Sequence, residues 1–294
     1  MTVPTNIPFT STVLEETIAK ITKAYPSICV QKIGTSRLGR IIYALTIGSG
    51  EKHILINAAH HANEWITTPI AMKFLQECAA SPDTAWTNDI TLHVVPMVNP
   101  DGVDLVTGGI PSHSFAYKHA RRIAAKFNEP FPGGWKANIL GVDLNSNYPA
   151  GWELAQEHKF GRGFTQPSPR DYVGGSALSE PETTAMAAYT IANDFALTLS
   201  LHTQGEEIFW QYLPHNPPGA EELALCLSAA SGYVLEEVPS ESSHAGYRDW
   251  FIQEFNRPGY TIECGLGENP LPISDFDNIY KKTAPLLWEA VKFR

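Results

Sequence analysis

Apolar residues at Leu14, Ile18 and Ile21 share one face of a 3.6-residue period and predict a helix over 12–25. Segments 41–47 and 53–58 are short, apolar and rich in branched residues, as expected of strands. Thr68-Pro69 marks a helix start, because proline is tolerated in the first turn, and the helix is expected to run to Cys78. The pattern then predicts a strand over 90–98, a helix over 180–194 and a strand over 196–201. Helices over 220–231 and 246–255, a strand over 260–264 and a closing helix over 275–292 complete it. Alternation of this kind implies an α/β fold with a mainly parallel, buried sheet. The Pro/Gly-rich stretch 129–134 reads as a surface loop, and nothing in the 294 residues repeats or separates as a linker, so one catalytic domain over 1–294 is expected.

Composition narrows the function classes. The chain is 43% hydrophobic and 18% charged, enough apolar material for a substantial core. A formal net charge of −10 argues against nucleic acid or an anionic membrane surface as the main partner. No run approaches the roughly 18 apolar residues of a membrane span. No basic start followed by an apolar block opens the chain, so a cytoplasmic location is expected, or a spore or wall location if the sequence is a piece of a longer protein. Cys29, Cys78, Cys226 and Cys264 form no CxxC pair and are expected to be buried free thiols. Oligomeric state leaves no signal.

In open α/β sheets, ligands bind beyond the carboxyl ends of the strands. His61 and Glu64 follow the strand 53–58, His202 follows 196–201, and Glu263 lies at the end of 260–264. His61 and Glu64 form an HxxE pair, whose imidazole and carboxylate can meet across a tight turn. A catalytic zinc site needs three protein ligands and an open position, so the third must come from elsewhere, and His202 is well placed. HxxE alone is a weak signal, common as a surface histidine and a solvated acid. His60 is the rival of His61, but three places beyond it stands Asn63, a poor zinc ligand.

Five segments in order add specificity: HANEW at 61–65, NPDG at 99–102, GVDLNSN at 141–147, Leu201-His202, and a DW…TIE segment with Glu263 thirteen positions after Trp250. In kind, order and spacing they resemble the zinc carboxypeptidase superfamily, from about residue 10 to the end. The resemblance implies a three-layer α/β/α domain around an eight-stranded mixed sheet and one zinc ion per chain. It implies His61, Glu64 and His202 as zinc ligands, Glu263 as general base and acid, and Asp143 as the carboxylate supporting a ligand histidine. The family's oxyanion-stabilising arginine has Lys136 in its region, which is either its substitute or a solvated lysine.

Two departures bear on specificity. The family's Asn-Arg pair, which grips a terminal carboxylate, reads Asn145-Ser146 here, and serine offers no charged fork. The family's flexible tyrosine has Glu241 at its counted place. Conversely, Arg248 stands at the position lining the base of the leaving-side pocket. It is a clamp for a substrate carboxylate, a solvated helix arginine, or a residue paired with an internal acid such as Glu254 or Asp249. HHANEWITTP, GVDLNSNYPAGW and GYRDWF with RPGYTIECG resemble the bacterial γ-D-glutamyl-L-diamino acid endopeptidases. That subgroup implies cleavage of peptidoglycan stem peptides or muropeptides between the γ-carboxyl of D-glutamate and meso-diaminopimelate or lysine. A metallocarboxypeptidase with altered specificity is the alternative. A related deacylase and a wall-peptide binding module with a dead site rank below it. If Glu263 is not the base, Glu206 or Glu241 stands next.

Overall fold

The computed structural model describes residues 2–212, 214–238 and 243–293. Its strands are β1 (Cys29–Thr35), β2 (Ile41–Gly48), β3 (Lys52–Ala58), β4 (Ile90–Val95), β5 (Leu197–His202), β6 (Glu207–Phe209), β7 (Val234–Glu236) and β8 (Gly259–Glu263). They form one sheet in the order β1-β2-β4-β3-β5-β8-β6-β7. The central four, β4-β3-β5-β8, are parallel, while β1, β2 and β6 join through antiparallel pairings, so the sheet is mixed. The expectation of a mainly parallel sheet holds for its centre. The antiparallel pairings are made by β2, which the pattern predicts, and by β1 and β6; β1, β6 and β7 escape the hydrophobic pattern because their residues are largely half-buried or exposed.

The helices are α1 (Ser11–Ala24), α2 (Thr67–Ala80), α3 (Pro100–Thr107), α4 (Phe115–Ala124), α5 (Trp152–Gly161), α6 (Pro181–Asn193), α7 (Ala220–Ser231), α8 (Tyr247–Phe255) and α9 (Phe276–Lys292). Helices α3, α4 and α5 were not anticipated. Asn99 caps α3 by accepting from Gly102 N, with Pro100 in its first turn, so the NPDG motif is a helix start. Among the described residues, no helix is long and apolar enough to cross a membrane.

Alternation along the central strands sorts side chains into two layers. Ile54, Ile56 and Ala58 of β3, with Leu197, Leu199 and Leu201 of β5, pack into the larger core with residues of α1, α2, α7 and α9. Leu55 and Val95 face the opposite core, built with Met186 and Tyr189 of α6 and Trp250, Phe251 and Ile252 of α8. All four cysteines are free; Cys78 and Cys264 are buried as expected, but Cys226 is half-buried and Cys29 is exposed at the start of the edge strand β1.

Candidate metal centre and substrate cleft

The carboxyl ends of β3, β5 and β8 carry the polar cluster. Beyond β3 the chain turns at Ala59, whose φ is 52°, and Ala59 N donates to Thr67 Oγ1. Thr67 Oγ1 in turn donates to the Glu64 carbonyl, so the first residue of α2 fixes the turn bearing His61 and Glu64. Asn99 donates from Nδ2 to the carbonyls of His60 and Ala137, and Ala62 N donates to the Lys136 carbonyl. These bonds tie the histidine turn to the loop carrying Lys136. In the sheet ladder His202 is paired with Glu263, which puts these two candidate residues on neighbouring strand ends.

His61 Nδ1 lies 2.9 Å from Glu64 Oε1, His202 Nδ1 lies 2.9 Å from Glu64 Oε2, and the two Nδ1 atoms are 3.2 Å apart. His61 Nε2 is 3.2 Å from Asp143 Oδ1, a partner that places a ring proton on Nε2 and leaves the Nδ1 lone pair facing the cluster. Electron-rich atoms therefore converge with too few protons between them. Donors about 2.0–2.1 Å from a tetrahedral zinc are about 3.4 Å from one another, close to the separations seen here. The charge state says the same. Burial opposes a charge on His61, but Glu64 and Asp143 overcome it and raise the imidazole to about 9. Burial also opposes ionisation of Glu64, yet His61, Lys136 and His202 hold it well below the usual carboxylate range. The cluster demands positive charge, and its nitrogen and oxygen donors fit a zinc ion. Among the described residues, His61, Glu64 and His202 are the group of three that could hold a metal.

Around this centre, Lys136 Nζ is 3.0 Å from Glu64 Oε1 and is not a solvated surface lysine. Asp143 receives Asn145 N on Oδ1 and Asp171 N on Oδ2, so two backbone bonds fix the carboxylate that orients His61. Burial, then repulsion from Glu64, pushes the Glu263 carboxyl up to about 8, against the pull of Lys136 and His61. His60 turns away: its Nε2 contacts the Tyr148 hydroxyl at 3.0 Å, and it is not part of the His61, Glu64 and His202 group. Glu206 binds Lys282 at 2.7 Å outside the cleft, which removes it as an alternative base. Glu241 lies outside the described residues.

The cleft has two lobes. The inner one, about 300 Å³, is lined by Asn145, Ser146, Thr261, Arg248 and Asp249. The outer one, about 630 Å³, opens between Asn63, Glu129, Gln204, Glu268 and Asn269. Lys136, Glu263, Phe209 and Arg170 line both and so mark the junction. Asn145 Oδ1 accepts from Tyr247 N at the start of α8. Arg248 is only 5% exposed and pairs with Asp249 through Nε and Nη2, the internal-acid alternative, while still facing the inner lobe. Glu254 is not its partner. The sequence reading missed Arg170, Asp171 and Lys159, which also line the inner lobe; no motif spacing marks them, because a turn folded back on Asp143 brings Arg170 and Asp171 there, and Asp171 pairs with Lys159 of α5.

The zinc carboxypeptidase family matches residues 14–285. Over 275 residues the chain is 45% identical to γ-D-glutamyl-L-diamino acid endopeptidase 1 of Lysinibacillus sphaericus, covering 90% of this chain and 67% of that protein. It is 40% identical over 295 residues to the uncharacterized protein YqgT of Bacillus subtilis (strain 168), covering 95% of this chain and 76% of the other. Among solved structures, the carboxypeptidase A of Helicoverpa armigera superposes with a TM-score of 0.76 at 20% identity, covering 98% of this chain and 74% of that one, a likeness of fold.

Proposed function

Because the chain belongs to the zinc carboxypeptidase family, we propose that it is a zinc-dependent peptidase cutting the bond between the γ-carboxyl of D-glutamate and a diamino acid in peptidoglycan stem peptides or muropeptides. The observation that carries this reading is the inner lobe. Ser146 stands where a terminal-carboxylate arginine is expected, and Arg248 is buried in the same lobe. A lobe without the terminal grip favours an internal cut, and the 45% identity to a γ-D-glutamyl-L-diamino acid endopeptidase supports the same substrate class.

His61, Glu64 and His202 hold the zinc in this reading, with Asp143 fixing the His61 ring from behind. Bound there, zinc acidifies a water molecule and polarises a carbonyl oxygen. Glu263, at the junction of the two lobes, takes the proton from the attacking water and returns it to the leaving amine. Lys136 sits beside Glu64 and supplies a positive charge where negative charge builds on the carbonyl oxygen. The diamino acid occupies the inner lobe. There Arg248, already sharing its charge with Asp249, meets the second carboxylate of meso-diaminopimelate, and Asn145 contacts the chain beside the scissile bond.

Digestion of defined stem peptides, with mass spectrometry locating the cut, tests the proposal. The expected result is one cut after γ-D-glutamate, abolished by chelation and restored by zinc. Release of a single C-terminal amino acid without that cut supports a metallocarboxypeptidase instead, and full turnover by metal-free protein overturns the zinc assignment.

A further inference from the structure

A γ-D-glutamyl bond differs from an ordinary peptide bond on its acyl side. The α-carboxyl of the D-glutamate is free, and its carbon lies four bonds, at most about 5 Å, from the reacting carbonyl carbon. An enzyme selective for this linkage gains by placing a cation just outside the junction, on the side opposite the diamino acid.

Arg170 occupies that place. With Lys136, Glu263 and Phe209 it lines both lobes, and in the outer lobe Lys136 and Arg170 are the lining cations among the described residues. Glu129, Glu207 and Glu268 make that lobe otherwise acidic, so an incoming carboxylate needs a specific counter-charge. Lys136 is already 3.0 Å from Glu64. The Arg170 guanidinium is only partly committed. Its Nε donates to Asp171 Oδ2 at 2.9 Å, Asp171 Oδ1 is taken by Lys159, and the nearest other acid, Glu129, is 3.8 Å from Nη1. The side chain is 41% exposed, leaving its outer N–H groups facing the cleft.

The backbone beneath Arg170 is anchored to the metal centre. Pro169 O accepts from both Lys136 N and Ala137 N, and Asp171 N donates to Asp143 Oδ2. The segment carrying Arg170 is therefore bound on one side to the loop of Lys136 and on the other to the carboxylate that orients His61. A guanidinium held this way is positioned to accept a planar carboxylate through two N–H donors.

We propose that Arg170 binds the free α-carboxylate of the γ-linked D-glutamyl residue and sets selectivity on the acyl side of the bond, an inference that rests on the γ-D-glutamyl reading above. A carboxamide in place of that carboxylate removes the charge but little volume, and turns an N–H acceptor partly into a donor that faces the guanidinium.

The test uses the tetrapeptide L-Ala-γ-D-Glu-diaminopimelate-D-Ala and its analogue with the D-glutamate α-carboxyl amidated, measured with the zinc-loaded wild type, Arg170→Ala and Arg170→Lys. The wild type is expected to favour the carboxylate substrate by about 10–100-fold in kcat/KM. Arg170→Ala is expected to lose most of that ratio by slowing far more on the carboxylate substrate than on the amidated one, and Arg170→Lys to restore part of it. Equal ratios in wild type and Arg170→Ala, or an equal loss on both substrates, overturn the proposal. Cleavage after γ-D-glutamate by all three proteins keeps the parent reading in either case, whereas its absence from the wild type with both substrates overturns the parent reading and this proposal together.

Discussion

Two of the buried polar clusters among the described residues are built on opposite plans. Near the turn between β1 and β2, Asp101 receives Arg40 Nη1 and Leu38 N, and Asp104 receives Arg40 Nε together with the amide and hydroxyl of Ser11. Glu180 is met by two nitrogens of Arg37 and by Asn138 Nδ2. Each oxygen of these three carboxylates has a donor. At the carboxyl ends of β3, β5 and β8, by contrast, acceptors face acceptors: two imidazole Nδ1 atoms and a carboxylate crowd within 3.2 Å, and His202 Nε2 is buried without a partner. A satisfied network holds elements together, and one short of positive charge holds a place for an ion. The clamp therefore serves the fold and the cleft serves chemistry. Glu182 is the exception within the clamp, with a buried Oε2 that lacks a partner.

The largest expected effect breaks the chemistry and spares the fold. Glu263→Gln keeps the shape of the strand end but cannot accept a proton, and kcat is expected to fall by about 10²–10⁴-fold with zinc content and thermal midpoint retained. Near-normal turnover would move the base elsewhere.

The reciprocal change breaks the fold and spares the chemistry. Arg40→Ala leaves Asp101 and Asp104 buried without their shared cation. Breaking a fully buried pair costs about 3–5 kcal/mol, and since Arg40 is a quarter exposed about 2–4 kcal/mol is expected in a urea melt. Specific activity per folded molecule should not change; a parallel loss of zinc affinity would join the two clusters into one unit.

Arg248 lies between the two plans, paired like the clamp yet facing the cleft. Because Asp249 already shares its charge, a preference for diaminopimelate over lysine of about 1.5 kcal/mol, roughly tenfold in kcat/KM, is expected. Arg248→Ala should erase it while keeping zinc. Retention of the wild-type preference would make Arg248 a purely internal partner of Asp249.

The smallest effect concerns Glu182. Burial, with added repulsion from Asp101 and Glu180, raises its carboxyl from 4.5 to about 7. The folded state thus holds this proton more tightly than the unfolded chain. Its contribution is fully present below pH 4.5, declines as pH rises to about 7, and is constant above. Glu182→Gln should flatten that part of the stability-versus-pH curve, and an unchanged slope would assign it to other groups.

The central strands were legible in the sequence because their branched apolar residues are buried on both faces. The outer strands β1, β6 and β7, at the two ends of the sheet, were not, since half-exposed strands carry no such run. His61, Glu64, His202 and Glu263 could be singled out because each sits at or just past the end of a central strand, where residue type and spacing are local properties. Lys136 and Asp143 followed from motif order. Arg170 carries no comparable mark. It reaches the cleft because Pro169 O takes the amides of Lys136 and Ala137 while Asp171 N reaches Asp143, bonds that exist only after the loops have met.

The state of Arg248 was likewise out of reach. Its position along the chain left it able to be solvated, to clamp a ligand or to pair with an acid; burial to 5% removes the first, and the structure pairs it with Asp249 while it lines the inner lobe. The sequence by itself determined the donor types, the family motifs and the strands that carry them, because these depend on residue identity and short-range spacing. The tertiary structure alone decided which charges are balanced and which are left short, because a buried group's partners come from segments far away along the chain, and only their packing removes the water that would otherwise satisfy it.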